Sequence, residues 1–66
     1  MIGKPEPIRR LLSQQEAAVY LGISYWTLRE LNFRGDIPYL RIGRRILVDR
    51  RDVDTYLERG KIHHGP

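Results

Sequence analysis

The sequence predicts a small α+β domain: three short helices and a two-stranded antiparallel hairpin. Three observations predict it. Ser13, Ser24 and Asp49 each precede a run with apolar residues at helical spacing, where a helix needs its cap. Gly22, Gly35 and Gly60 stand at the ends of those runs. Between the second and third runs, LRI and RILV flank Gly43-Arg44, as two short strands flank a tight turn.

Residues 1–10 read as a flexible arm, because Gly3, Pro5 and Pro7 leave no periodicity. Lys4, Arg9 and Arg10 give that arm positive charge. The folded domain is expected over residues 11–59, and residues 60–66 read as a flexible tail. The first helix is predicted to begin at Ser13, where Ser13 and Glu16 have capping-box spacing. Leu12 can staple onto Ala17 across that cap. Ala17, Ala18 and Leu21 form one apolar stripe, and Gly22 stops the helix.

The second helix is capped by Ser24. Leu28 and Leu31 face inward and Ile23 plugs the turn before it. Gly35 ends the helix and Pro38 prevents its continuation, leaving Asp36-Ile37 as a short turn. In the hairpin, alternation is expected to put Leu40, Ile42, Ile46 and Val48 on the buried side, with Arg41 and Arg45 outward and Arg44 at the tip. The third helix starts at Asp49 with Asp52 in the box position, and Val48 and Val53 staple around it. Val53, Tyr56 and Leu57 then face the core, and Gly60 terminates.

Size and composition bound the function. A chain of 66 residues forms one domain with an economical core, and its 41% apolar content suffices for a compact fold. Without cysteine there is no disulfide and no Cys-ligated zinc. No apolar run approaches the roughly 20 residues of a membrane span, and the N-terminus lacks the apolar stretch of a secretory signal. A cytoplasmic, nucleoid-associated protein with no membrane partner is expected. The net charge of +4 favours a polyanion, and ten of the twelve basic residues are Arg. Arg suits bidentate contact with phosphate or guanine. Arg34, Arg41, Arg44, Arg45, Arg50 and Arg51 share a stretch with only two acids, Asp36 and Asp49.

The first two helices meet the requirements of a helix-turn-helix. Ala18 is small enough for the helices to approach, and Gly22 follows four residues later. Apolar residues fall at Ala17, Leu21, Ile23, Leu28 and Leu31. A basic hairpin then follows directly. Double-stranded DNA is therefore the expected partner.

LLSQQEAAVYLGIS and then TLRELNFRGDIPYLRIGRRILVDRRDVDTYL resemble the winged-helix domain of excisionase-type and AlpA-type regulators, related to the DNA-binding domain of MerR regulators. The resemblance runs from about Leu11 to Leu57. Its most specific parts are Ser24 with Thr27-Leu28, the Gly35-Asp36-Ile37-Pro38 turn, the Arg41-Ile42-Gly43-Arg44-Arg45 wing and the closing helix from Asp49. It implies a winged helix-turn-helix in which the second helix enters the major groove and the wing reaches flanking backbone or minor groove. It also implies a role in excision of a prophage or mobile element, or in transcription control.

Two positions depart from the family pattern. Glu30 stands where a basic residue is frequent, free to pair with Arg34 at i+4 or to accept from a cytosine amine. Phe33 replaces a residue that is usually polar. With Trp26 and Arg29 it lies on one face of the helix, which is unusual in a minimal DNA-binding domain. Three readings stand: one aromatic tucks against the wing, Trp26 touches a thymine methyl or sugar, or the patch binds a neighbouring protein.

The recognition-helix candidates are Ser24, Tyr25, Trp26, Thr27, Arg29, Glu30 and Arg34. Arg29 can fork onto a guanine or position the helix through a phosphate. Wing candidates are Arg41, Arg44 and Arg45. Gln14 and Gln15, with the first helix's amides, can hold a phosphate. His63-His64 makes a poor metal site without Cys or a third His. Asp49 and Asp52 are explained by capping, and no nucleophile-base pair or glycine-rich phosphate loop stands in the sequence, so neither an enzyme nor a cofactor is expected.

One module of this size makes few contacts, about 600–1,000 Å². Cooperative self-association on DNA is therefore expected, with an integrase or other DNA-bound protein as a further partner. Two alternatives remain: a DNA-recognition module of a larger phage machine, such as a packaging terminase small subunit, or a protein-interaction module using Trp26 and Phe33.

Overall fold

The computed structural model describes residues 9–62. Most of the expected arm and tail, with Lys4 and the His63-His64 pair, lies outside the described residues. The elements run β1 (Leu11–Ser13), α1 (Gln14–Leu21), α2 (Tyr25–Arg34), β2 (Leu40–Ile42), β3 (Arg45–Asp49) and α3 (Arg50–Gly60). Three helices thus accompany a three-stranded antiparallel sheet of order β1-β3-β2, and β2 and β3 form the wing of a winged helix-turn-helix.

Local chemistry places the helix ends. Ser13 Oγ accepts from the Glu16 amide at 3.0 Å while Glu16 accepts from the Ser13 amide at 2.8 Å, closing the predicted capping box. Ser24 accepts from the Thr27 amide at 3.1 Å. Helix α1 ends at Gly22 with φ 73, a left-handed conformation that costs glycine little. The Ile23 amide then reaches back to the Ala18 carbonyl at 3.0 Å, the long bond of a Schellman motif. Helix α2 ends the same way: the Asp36 amide reaches the Leu31 carbonyl at 2.9 Å past Gly35.

The third helix departs from expectation at both ends. Asp49 accepts from the Arg51 amide at 2.9 Å, one residue short of Asp52, so the predicted box does not close. Gly60 is the last helical residue and does not terminate the helix; the extended Lys61 follows as cap.

The core consists of Ala17, Ala18, Leu28, Leu31, Ile37, Val48 and Val53, with Leu12, Leu21, Ile23 and Tyr56 packed against it. Ala17 and Ala18 let α1 and α2 approach closely; a larger side chain there would overpack the crossing by about 1–3 kcal/mol. Ile37, read from sequence as a turn residue, is fully buried. Leu57, expected in the core, is 40% exposed, while Val53 is buried and Tyr56 half-buried.

The first strand was not anticipated. Leu11, Leu12 and Ser13 pair with Asp49, Val48 and Leu47. The Arg50 amide extends this pairing to the Arg10 carbonyl at 2.7 Å, and Arg10 Nε donates to Asp49 at 3.0 Å. Arg9 meets Glu16 at 2.6 Å. The last two residues of the expected arm are thus held by the domain.

The wing register overturns the expected alternation. Gly43 has φ 62 and Arg44 beside it does not share a positive φ, the pattern of a type II′ turn. A two-residue turn pairs Ile42 with Arg45, Arg41 with Ile46 and Leu40 with Leu47. Cross-strand partners share a face. Leu40 and Ile42 therefore lie with Arg45 and Leu47, opposite to Ile46 and Val48. They are 37% and 52% exposed, not buried. Arg41 and Arg45 project from opposite faces, since Arg41 shares the side of Ile46.

Candidate nucleic-acid interface

Helix α2 turns Leu28, Leu31 and Asn32 inward. Its remaining face carries Trp26, Thr27, Arg29, Glu30 and Phe33, all exposed, with Tyr25 half-buried at the first turn. Neither aromatic tucks against the wing: Trp26 is 70% and Phe33 88% exposed. The reason is angular. Leu28 and Leu31 fix which side of the helix is buried, and Trp26 and Phe33 fall outside that arc.

Aromatic rings bracket Arg29. Its guanidinium lies 5.4 Å from the Trp26 ring centre and 5.9 Å from that of Tyr25. Tyr25 and Trp26 themselves meet edge-on at 5.4 Å and 71°. Such stacking restrains a long side chain while leaving its donors free. Ser24 and Thr27 are engaged with each other, their hydroxyls 2.9 Å apart, so their first role is to cap the helix.

Between α2 and the wing runs an open groove of about 290 Å³, lined by Trp26, Arg29, Glu30 and Phe33 on one side and Tyr39 and Ile46 on the other. Gln14 and Asn32 complete its lining. Asn32 is 4% exposed and ties three segments together. Its amide donates to the Ile37 carbonyl at 2.9 Å, and its own oxygen accepts from Gln14 Nε2 at 3.1 Å. Sequence reasoning missed Asn32. The one signal was its position four residues after Leu28, on the inward face. Gln14, expected at a phosphate, uses a side-chain donor to hold α1 against α2. Gln15 is exposed beside it, in a shallow cleft with Ser13, Tyr25, Arg45 and Ile46.

The arginines sort into two groups. Arg34 is clamped by Asp36, at 3.1 Å through Nε and again through a terminal nitrogen, and by Glu30 at 3.5 Å. Asp36 holds the Arg34 guanidinium pKa above its ordinary value. This realises the Glu30–Arg34 pairing open from sequence. Arg9 and Arg10 are likewise paired. Among the described residues, Arg29, Arg41, Arg44 and Arg45 have no carboxylate within ion-pair distance, nor do Arg50, Arg51 and Arg59 of the closing helix.

A family model described as a helix-turn-helix domain matches residues 11–61. The chain belongs to this helix-turn-helix family, the excisionase- and AlpA-like one. Comparison with curated proteins and with solved structures gives no significant match.

The family is one of DNA-binding domains. In this helix-turn-helix, Gly22 forms the turn and α2 is the second helix. Trp26, Arg29, Glu30 and Phe33 are brought together with Ile46 of the wing, and Arg41 pairs across from Ile46. Tyr25, Gln15 and Arg45 gather one step away around α1's first turn. Arg44 stands at the wing tip, and Arg34 lies at the far end of α2 within its acid pair. Among the described residues no helix is long and apolar enough to cross a membrane, and no group of three His, Cys, Asp or Glu side chains is placed to hold a metal.

Proposed function

We propose that this helix-turn-helix protein binds duplex DNA sequence-specifically as an excisionase-type factor. It acts in the cytoplasm, directing recombination of a prophage or mobile element or regulating its transcription. The observation that carries this reading is the bracketed Arg29 on the exposed face of α2, across a groove from a wing whose three arginines have no acid partner among the described residues.

In this reading α2 enters the major groove. Arg29 forks onto a guanine O6 and N7, with Tyr25, Trp26, Thr27 and Glu30 at neighbouring base edges. Arg41, Arg44 and Arg45 neutralise flanking phosphates, and Gln15 with the first amides of α1 meets another. Ser24 and Gln14 hold the helices in place. Arg34 stabilises the end of α2 through its pairs with Asp36 and Glu30. One copy makes too few contacts for strong specificity, so several copies occupy adjacent repeats cooperatively, and an integrase or another DNA-bound protein completes the assembly.

A gel-shift titration across salt concentrations tests this. Several arginine–phosphate contacts give a steep linear loss of log affinity with log salt, about 0.9 per contact. Extended sites give several bound species in succession. No affinity for duplex DNA at low salt would sink the reading. An excision assay with the cognate integrase separates the recombination role from the regulatory one.

A further inference from the structure

We infer that the Trp26–Phe33 face of α2 is a reader of the C5-methyl group of thymine, so that the target site carries thymine flanking the base pair met by Arg29. This rests on the DNA-binding reading and names what the groove selects.

Trp26 and Phe33 are seven residues apart, two turns on one face, with Arg29 between them. At the α-helical rise they stand about 10 Å apart along the axis. Successive base pairs are about 3.4 Å apart, so the stripe is long enough to reach more than one base pair. Its order is apolar, cationic, apolar. The major groove offers a matching order: thymine presents a methyl group and guanine presents two acceptors.

Electrostatics decide the occupant. Trp26, Phe33, Tyr39 and Ile46 form the apolar part of the groove lining, Arg29 lies over the Trp26 ring at 5.4 Å, and Arg41 lies on the same side of the wing as Ile46. Guanidinium groups with no acid partner among the described residues, set beside these apolar side chains, repel a basic partner and suit a polyanion with an apolar patch. Thymine in a duplex is such a patch within a phosphate frame. Exposure of 70% and 88% also means that neither ring is needed to build the fold, so their exposure has no explanation in packing. Glu30, on the groove lining, disfavours close phosphate approach there and leaves the floor to base edges.

The test begins with selection of a preferred site from random duplexes using the full chain. Each thymine is then replaced by deoxyuracil, which removes the methyl group and leaves the hydrogen-bonding edge intact. The expected result is a loss of about fourfold in affinity for each methyl buried on the protein, confined to one or two positions. Replacing C·G there by 5-methylcytosine·G improves binding over C·G. W26A and F33A remain folded by circular dichroism and no longer discriminate thymine from deoxyuracil. Deoxyuracil tolerated at every position overturns the inference, as does discrimination that survives in W26A and F33A. Loss of cooperativity alone in those variants overturns it in favour of a protein neighbour. A chain that binds no duplex at low salt overturns the DNA-binding reading itself, a distinct result from binding without methyl discrimination.

Discussion

Gln14 Nε2 donates to Asn32 Oδ1 at 3.1 Å, and Asn32 passes the connection on to the Ile37 carbonyl at 2.9 Å. One nearly buried amide therefore fixes α1, α2 and the turn into the wing relative to one another.

Asn32→Ala should destabilise the domain. It leaves the Ile37 carbonyl and the Gln14 amide without their partner, a loss of about 1–3 kcal/mol. Each kcal/mol lowers the melting temperature by about 4–8 °C in a domain of this size. Thermal unfolding by circular dichroism measures it; an unchanged Tm would show that water replaces the amide.

Acid should destabilise the protein through its caps. The Ser13 amide, then Arg9, holds the Glu16 carboxyl below its ordinary value, and the Arg51 amide, then Arg10, does so for Asp49. Carboxylates depressed in the folded state stabilise it fully above the unfolded value of about 4 and cease to do so as pH falls through the lower folded value. The contribution of these two carboxylates should therefore be constant above about pH 5 and fall below about pH 4. Glu16→Gln should flatten that acid limb in urea titrations at several pH values.

Alkali acts through Tyr20. Its hydroxyl donates to Asp54 at 2.7 Å, and that bond holds its pKa above the ordinary tyrosine value. The contribution is complete below about pH 10 and is lost as pH rises through the folded value. Tyr20→Phe should be less stable at neutral pH and lose less on going to high pH.

Arg44→Ala should weaken binding to cognate and random duplexes alike and lower the salt slope by about one. Arg29→Ala should in addition relax preference at one base pair, by about 1–3 kcal/mol of discrimination. Equal losses on both duplexes for Arg29→Ala would assign it to a phosphate.

Arg34→Ala should reduce DNA affinity less than Arg44→Ala does, because Asp36 and Glu30 already hold its guanidinium. A loss as large as that of Arg44→Ala, measured in the same gel shifts, would show that the pair opens on DNA.

The sequence by itself determined what depends on neighbours along the chain. Ser13 with Glu16, Ser24, Asp49, Gly22 and Gly35 place the helix ends because caps and left-handed glycines act within one turn. Leu28 and Leu31 likewise fix which side of α2 stays in water. Tertiary structure alone decided the rest. A one-residue change of strand register moves every side chain to the other face, and only the observed Ile42–Arg45 pairing separates Arg41 from Arg45 and exposes Leu40 and Ile42. The strand at Leu11–Ser13 exists because β3 offers it a free edge. Asn32 and Gln14 find each other across eighteen residues. Trp26 and Phe33 stay in water because the core closes without them, which leaves the question of what this domain reads to that exposed face.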